Sequence, residues 1–124
     1  MIVTVHPVSG PSKSSPGWPY GLKLPVRLRA GVTAVLTILG ATTKVVEFQS
    51  HDSQLGEIEV PAVRFEACAH NTPAFAYKGT VGAWTDFPFG ILLKQRSACV
   101  PVELSIVGRA VSPRTVLSIG RRRC

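Results

Sequence analysis

Residues 22–29 alternate strictly between apolar and polar positions, and this pattern constrains the fold more than any other part of the chain. The apolar positions are Leu22, Leu24, Val26 and Leu28, and the positions between them are Lys23, Pro25, Arg27 and Arg29. Successive side chains of a β-strand point to opposite faces, so this period predicts a strand with one buried and one wet face. Pro25 has no N–H for a ladder, which favours a sheet edge or an outward-pointing nitrogen.

Six further short runs follow, separated by segments rich in Gly and Pro. They cover residues 32–39, 44–49, 57–68, 90–94, 99–107 and 116–119, with the run 57–68 broken or bulged at Pro61. A helix is the alternative for 32–39, but its Val, Thr and Ile side chains favour extended structure. The pattern predicts an all-β fold: an antiparallel β-sandwich of about seven strands with Ig-like or similar Greek-key topology.

The N-terminal part differs in composition from the rest of the chain. Residues 1–17 are rich in Pro, Gly and Ser, which is typical of a flexible segment with little to bury. Residues 18–124 are predicted to form a single β-sandwich domain, large enough for one modest core. The longest apolar stretch, residues 32–41, is about half the length that a membrane-spanning helix needs, so no transmembrane segment is expected.

The three cysteines carry the compartment prediction. Cys68 and Cys99 each lie at the edge of a predicted strand, so we expect a disulfide between them, with a pairing through Cys124 as the alternative. Disulfides persist in oxidising compartments, which indicates an extracellular or cell-envelope location. The first residues lack the basic start and apolar region of an export signal. Either such a signal lies upstream, or the protein is cytoplasmic with reduced thiols.

The net charge of +7 is unevenly placed, with no acidic residue after Glu103. The predicted basic patch consists of Arg109, Arg114, Arg121, Arg122 and Arg123. Such a cluster can attract phosphates, anionic lipids or acidic polymers, although a solvated, frayed chain end is the favoured interpretation. Nucleic-acid binding is not expected, because no aromatic residues alternate with these arginines.

Aromatic residues concentrate in the longest irregular stretch, residues 69–89. The predicted binding loop contains Phe75, Tyr77, Trp84, Phe87 and Phe89. Long loops carry function more often than short ones, although the dominance of aromatic rings in core burial favours the alternative that they plug the end of the sandwich.

Catalytic and metal-binding signals are weak. No C-x-x-C or H-x-x-x-H spacing indicates zinc, and no phosphate-cradling glycine motif occurs. Cys68 or Cys99 with a histidine and an aspartate would supply the residue types for a cysteine nucleophile, but no family-type sequence surrounds either cysteine. The sequence therefore predicts no enzyme activity, no cofactor and no metal, with a small hydrolase using a cysteine or His51 and Asp52 as the alternative.

Several motifs together resemble a group of bacterial proteins. They are Trp18-Pro19-Tyr20 with Leu24-Pro25-Val26-Arg27-Leu28-Arg29-Ala30-Gly31, Val63-Arg64-Phe65-Glu66-Ala67-Cys68, and Ala98-Cys99-Val100-Pro101-Val102-Glu103 with Gly120-Arg121-Arg122-Arg123-Cys124. The chain resembles uncharacterised exported or membrane-anchored β-rich proteins of high-GC Gram-positive bacteria. The resemblance implies a β-rich part that faces the outside after an N-terminal membrane segment, and it brings no activity with it.

The resulting prediction is a non-enzymatic extracellular or cell-envelope module with a structural or binding role. Its partner would be a cell-surface polymer or another protein. A binder of anionic polymers through the basic C-terminal end is a further alternative.

Overall fold

The structure is a computed structural model that describes residues 11–15, 17–52, 56–71, 82–120 and 124. Within these ranges the chain forms nine strands and one short 3-10 helix. The strands are β1 (Pro11–Ser15), β2 (Trp18–Arg29), β3 (Thr33–Ile38), β4 (Val46–Asp52), β5 (Gly56–Val60), β6 (Ala62–Glu66), β7 (Trp84–Leu93), β8 (Ala98–Ile106) and β9 (Arg114–Ile119). The 3-10 helix spans Gly40–Lys44, between β3 and β4.

The strands form two antiparallel sheets. The five-stranded sheet has the order β1-β2-β7-β4-β5, and the four-stranded sheet has the order β6-β3-β8-β9. The longest ladder joins β2 to β7 and runs from Tyr20 opposite Leu93 to Arg29 opposite Trp84. The prediction of an antiparallel all-β fold is confirmed, but the described residues contain nine strands rather than about seven.

Pro61 explains one of the extra strands. The run 57–68 was predicted as one strand broken or bulged at this residue, whereas β5 and β6 on either side of Pro61 belong to different sheets. Proline fixes φ and has no N–H for a ladder, so the chain leaves one sheet there and enters the other. The Pro61 carbonyl still accepts a hydrogen bond from the Ile38 N–H at 2.8 Å.

The second extra strand lies in the predicted flexible segment. Residues Pro11–Ser15 pair with β2 and form an edge of the five-stranded sheet. They therefore differ from the prediction, while residues 1–10 and 16 lie outside the described part of the chain. The assignment of residues 18–124 to a single domain stays a prediction.

Buried side chains from both sheets form one apolar cluster. The five-stranded sheet contributes Val26, Leu28, Val46, Phe48, Ile91 and Leu93, and the four-stranded sheet contributes Ala34, Leu36, Ile38, Phe65, Ala98, Val100, Val102, Leu104, Leu117 and Ile119. The alternation predicted for β2 is confirmed, since Val26 and Leu28 are buried while Arg27 and Arg29 are exposed. Each large side chain buried in this cluster contributes about 1.5–3 kcal/mol.

The predicted disulfide between Cys68 and Cys99 is wrong. Cys99 is bonded to Cys124, with a Cα–Cα distance of 5.6 Å, and Cys68 is an exposed free thiol. The register explains the difference, because Cys68 lies beyond the Thr33 end of β3 and Cys99 lies beyond its Ile38 end. The two cysteines are thus at opposite ends of the four-stranded sheet, too far apart for a bond that needs Cα atoms within about 7 Å.

Candidate functional site

The four-stranded sheet has no unpaired charge. Its strands contain only four charged residues, and all four are in ion pairs: Arg64 with Glu66 at 2.8 Å and Arg114 with Glu103 at 2.6 Å. The two pairs lie on the exposed side of the sheet, where such pairs contribute about 0–1 kcal/mol each. Their main effect is to leave this sheet electrically neutral.

The five-stranded sheet is polarised from one edge to the other. Its cationic residues are on β1 and β2 (Lys13, Lys23, Arg27 and Arg29), and four of its five acidic residues are on β4 and β5 (Glu47, Asp52, Glu57 and Glu59). The fifth, Asp86 on the central strand β7, accepts hydrogen bonds from Arg27 at 2.6 and 3.1 Å. This hydrogen bonding lowers the pKa of Asp86, and the same contact raises the pKa of Arg27. Neither sheet accounts for the positive net charge of the chain.

Three of the described cations lie in the connecting segments at one end of the molecule. Residues 39–45 and 94–97 contain Lys44, Lys94 and Arg96 and no acidic residue. The two segments touch, because the Lys94 N–H donates to the Val45 carbonyl at 2.9 Å. We call this region the basic end: Lys44, Lys94 and Arg96 together with the aromatic residues Trp18 and Tyr20 at the start of β2.

Two cation–aromatic contacts organise the basic end. The Lys94 Nζ lies 5.0 Å from the ring centroid of Trp18, and the Arg96 Cζ lies 6.0 Å from that of Tyr20. Both rings are half-buried, and Tyr20 packs against the core, whereas Lys94 and Arg96 are exposed. A cation over an aromatic face is attracted by about 0.5–1 kcal/mol at exposed sites. The rings therefore restrain two cations that remain accessible to solvent.

Gly120 ties the end of β9 to the same turn. Its φ is +78°, and a Cβ on this residue would lie 2.8 Å from the Ser97 Cβ and 2.9 Å from the Arg96 carbonyl oxygen. Both the backbone conformation and the close approach require glycine. The contact supports the backbone of Arg96 from the side of the four-stranded sheet.

A third cation–aromatic contact lies at the opposite end of the β2–β7 ladder. The Arg29 Cζ is 5.5 Å from the ring centroid of Trp84, the residue directly opposite it in the register. Trp84 is 45% exposed, so this pair also faces solvent.

The predicted aromatic binding loop is not one surface. Trp84, Phe87 and Phe89 lie on strand β7 rather than in a loop. Trp84 is exposed, whereas Phe87 packs against the core with its ring centroid 5.3 Å from that of Phe65. Phe75, Tyr77 and the side chain of Phe89 lie outside the described part of the structure.

Two of the five residues of the predicted basic patch lie in the described part of the chain. Arg109 is exposed in the connection before β9, and Arg114 at the start of β9 is neutralised by Glu103. Gly120 follows the other end of β9, and Arg121, Arg122 and Arg123 after it lie outside the described residues. Neither Arg109 nor Arg114 belongs to the basic end.

Sequence reasoning missed the residues of the basic end. Trp18 and Tyr20 were placed at the start of the folded part, and Lys94 and Arg96 were assigned no role. One signal was available, since the aromatic and the cationic residues both recur with a spacing of two. Only the pairing of β2 with β7 shows that the two pairs meet.

Other candidate sites have little supporting geometry. His51 and Asp52 lie on β4, but their side chains lie outside the described part of the structure. The exposed Cys68 donates its N–H to the Thr85 Oγ1 at 3.1 Å, which is a backbone contact. Within the described ranges, no group of three His, Cys, Asp or Glu residues is placed to bind a metal ion. A cavity of about 70 Å³ beside the start of β9 is lined almost entirely by apolar atoms.

Comparisons with protein-family models, with curated proteins and with solved structures found no match to this chain. Among the described residues, no helix has the length and apolar character that crossing a membrane requires. Function is therefore inferred from the chemistry of the basic end.

Proposed function

We propose that this protein is a non-catalytic binding module of the extracellular space or cell envelope that binds phosphate-bearing anionic polymers through its basic end. The module is a β-sandwich of Greek-key type, with the two sheets packed face to face. The observation that carries the proposal is the pair of cation–aromatic contacts, Lys94 on Trp18 and Arg96 on Tyr20, beside Lys44 and without an acidic residue in either connecting segment.

The basic end has the chemistry that anion binding needs. Arg96 presents a planar fork of N–H donors that matches phosphate oxygens, and Lys44 and Lys94 add compact positive charges. The rings of Trp18 and Tyr20 restrain two of these cations before a ligand arrives. Restraint of this kind reduces the conformational entropy that binding would otherwise cost.

A cell-surface polymer fits the basic end better than nucleic acid does. The disulfide between Cys99 and Cys124 supports an oxidising compartment, as does the resemblance to exported bacterial proteins. Single-strand nucleic-acid binders stack bases on open aromatic faces, whereas a cation occupies one face of Trp18 and of Tyr20. Phosphate recognition without base stacking is therefore the favoured mode.

The test measures the affinity of the protein for inorganic polyphosphate over a range of salt concentrations. The double variant Lys94→Ala with Arg96→Ala removes two cations from the basic end. For a flexible anionic chain, each lost phosphate contact should lower the slope of log affinity against log salt by about 0.7. Arg64→Ala with Arg109→Ala removes the same charge elsewhere and should leave the affinity nearly unchanged.

A third variant tests whether the position of Lys94, and not only its charge, contributes to binding. Trp18→Leu keeps the net charge and removes the ring beneath Lys94, so we expect weaker binding with an unchanged melting temperature. If both double variants lose affinity equally, net charge alone drives the binding and the proposed site is wrong.

A further inference from the structure

Strand β9 is an edge of the four-stranded sheet with one side open. Among the strands of the described ranges, it pairs only with β8. The Leu104 N–H donates to the Pro113 carbonyl at 2.9 Å, which fixes how the hydrogen bonds alternate along this ladder. The Thr115 backbone, two residues further on, therefore bonds to β8. The N–H and C=O groups of Arg114 and Val116, on either side of it, face the open edge.

Exposed apolar surface concentrates beside this edge. Four large apolar side chains are exposed in the described part of the chain, and three of them, Val107, Val111 and Val116, lie on β9 or in the connection from β8 to β9. Val116 is on the outward face in the middle of β9, since its neighbour Leu117 is buried in the core. On the inward face, Thr115 and Leu117 line the apolar cavity of about 70 Å³.

The open edge of β9 has none of the features that normally block a sheet edge. Natural proteins keep further strands away from an edge with charged side chains, proline or bulges. The only charged residue of β9, Arg114, is neutralised by Glu103, and the strand contains no proline. Its pairing with β8 is regular from end to end. An extended segment of backbone can therefore pair with this edge.

The other three sheet edges disfavour pairing with a second copy of the chain. Aligned antiparallel about the middle residue, two β1 strands would oppose Lys13 with Lys13, and two β6 strands would oppose Arg64 with Arg64. Two β5 strands would oppose Glu57 with Glu59. Like charges directly opposite one another destabilise a strand pair. These edges are therefore protected against self-association.

The sequence of β9 is instead compatible with itself. Aligned antiparallel about Val116, two β9 strands oppose the exposed valines, and Arg114 lies opposite Ser118 of the second copy, so no like charges meet. On the inward face, Thr115 of each copy lies opposite Leu117 of the other, beside the apolar cavity. The edge therefore fits a second copy of the chain in hydrogen bonding, charge and apolar surface.

We infer that the protein forms a symmetric dimer in which β9 pairs antiparallel with β9 of a second copy, about a two-fold axis at Val116. The two four-stranded sheets then join into one continuous sheet. The same patch is used on both copies, so the assembly closes at two chains. Dimerisation of this kind does not depend on the ligand of the basic end.

The first test measures mass by sedimentation and light scattering from about 1 μM to about 1 mM protein. Every sample carries Cys68→Ser, because the exposed Cys68 thiol would otherwise be able to link two copies. The mass should double with concentration and rise no further. Val116→Lys opposes two lysines and should keep the protein monomeric, with an unchanged melting temperature at the lowest concentration. Val111→Lys, the same change at an exposed valine outside β9, should leave the dimer intact.

A cross-link tests the register. Directly opposed residues that exchange both backbone hydrogen bonds have Cα atoms about 5.5 Å apart, within the range that a disulfide spans. Val116→Cys should therefore form a disulfide-linked dimer under mild oxidation, and peptide mapping should find the bond between Cys99 and Cys124 intact. Val111→Cys is the control. Val111 is more exposed than Val116, at 76% against 50%, but its two copies lie beyond opposite ends of the paired strands.

Three results would contradict the dimer. A protein that stays monomeric over the whole concentration range excludes a second copy as the occupant of this edge. A dimer that survives Val116→Lys, or that cross-links as readily through Val111→Cys, has its contact elsewhere. Masses that continue to rise beyond two chains indicate an open-ended contact rather than a symmetric pair of β9 strands.

Discussion

The two sheets share one core and differ in how they manage charge. In the four-stranded sheet every charged residue is neutralised by an ion partner, and the disulfide of Cys99 joins its strand β8 to Cys124. In the five-stranded sheet the cations and four of the five acids lie on opposite sides, and the three cation–aromatic contacts of the described residues lie on the β2–β7 ladder or next to its end. The charges of the four-stranded sheet are thus paired with one another, whereas the five-stranded sheet keeps exposed cations that can interact with a ligand.

This difference indicates that the four-stranded sheet mainly stabilises the fold, whereas the cation–aromatic contacts mainly serve ligand binding. Exposed ion pairs add little stability, so the four-stranded sheet depends on its core residues and its disulfide. A restrained but exposed cation adds little stability as well, yet it lowers the cost of binding an anion. Substitutions of buried core residues or of the disulfide should therefore change unfolding, and substitutions of the exposed cations of the basic end and of their partner rings should change binding.

The largest effect should come from the core that both sheets use. Phe48 on β4 and Phe65 on β6 belong to different sheets but to the same buried cluster. Phe48→Ala and Phe65→Ala should each reduce the free energy of unfolding by about 3–5 kcal/mol. Val116→Ala, at a position that is 50% exposed on β9, is the control and should stay within about 0.5 kcal/mol. A second unfolding transition in either Phe variant would contradict a shared core.

Removal of the disulfide tests how much this bond stabilises the four-stranded sheet. Cys99 and Cys124 are 25 residues apart, so their bond restricts the unfolded chain by about 3.5 kcal/mol in the chain-entropy description. Cys99→Ser with Cys124→Ser should lose about that much in denaturant unfolding. Cys68→Ser is the matched control and should change stability little, because Cys68 is exposed and unbonded to another cysteine. Mass spectrometry without reductant should find one free thiol, at Cys68.

The close packing of Gly120 against Ser97 and Arg96 should have a smaller effect. Gly120→Ala imposes a left-handed backbone on alanine and also forces its Cβ against Ser97 and the Arg96 carbonyl. Gly108 has a similar φ of +86° but open space around it. Gly108→Ala should cost about 1–2 kcal/mol from backbone strain alone. Gly120→Ala should cost more and should also weaken polyphosphate binding, since it displaces the turn that presents Arg96; equal costs would contradict the close packing.

The alternation in β2 could be predicted from sequence because it is a local property of neighbouring residues. The change of sheet at Pro61 could not be predicted, because proline is equally suited to a bulge within one strand and to a corner between two sheets. The disulfide depended on the register of β3 against β6 and β8, which no local pattern determines. The basic end is even harder to predict from the sequence, because its residues come from the start of β2, the 3-10 helix and the β7–β8 turn.

The smallest effect should appear at Glu47, on the acidic side of the five-stranded sheet. Within the described part of the chain, the Glu47 Oε2 is buried without a hydrogen-bond partner, and the residue opposite it, Leu92, is 1% exposed. Burial raises the pKa of the Glu47 carboxyl, and the negative charge of Glu59 adds to the increase. The folded protein therefore keeps this proton to a higher pH than the unfolded chain does.

Stability should consequently fall as pH rises from the ordinary glutamate pKa to the raised one, and the loss should then persist at neutral pH. Glu47→Gln should remove that fall and stabilise the protein at neutral pH, as measured by urea unfolding from about pH 4 to about pH 8. Asp86→Asn provides the opposite sign, because hydrogen bonding from Arg27 lowers the pKa of Asp86 and makes its ionised form stabilising. If Glu47→Gln destabilises the protein at neutral pH, the Glu47 carboxylate makes a favourable contact, and the acidic side is as well satisfied as the paired charges of the four-stranded sheet.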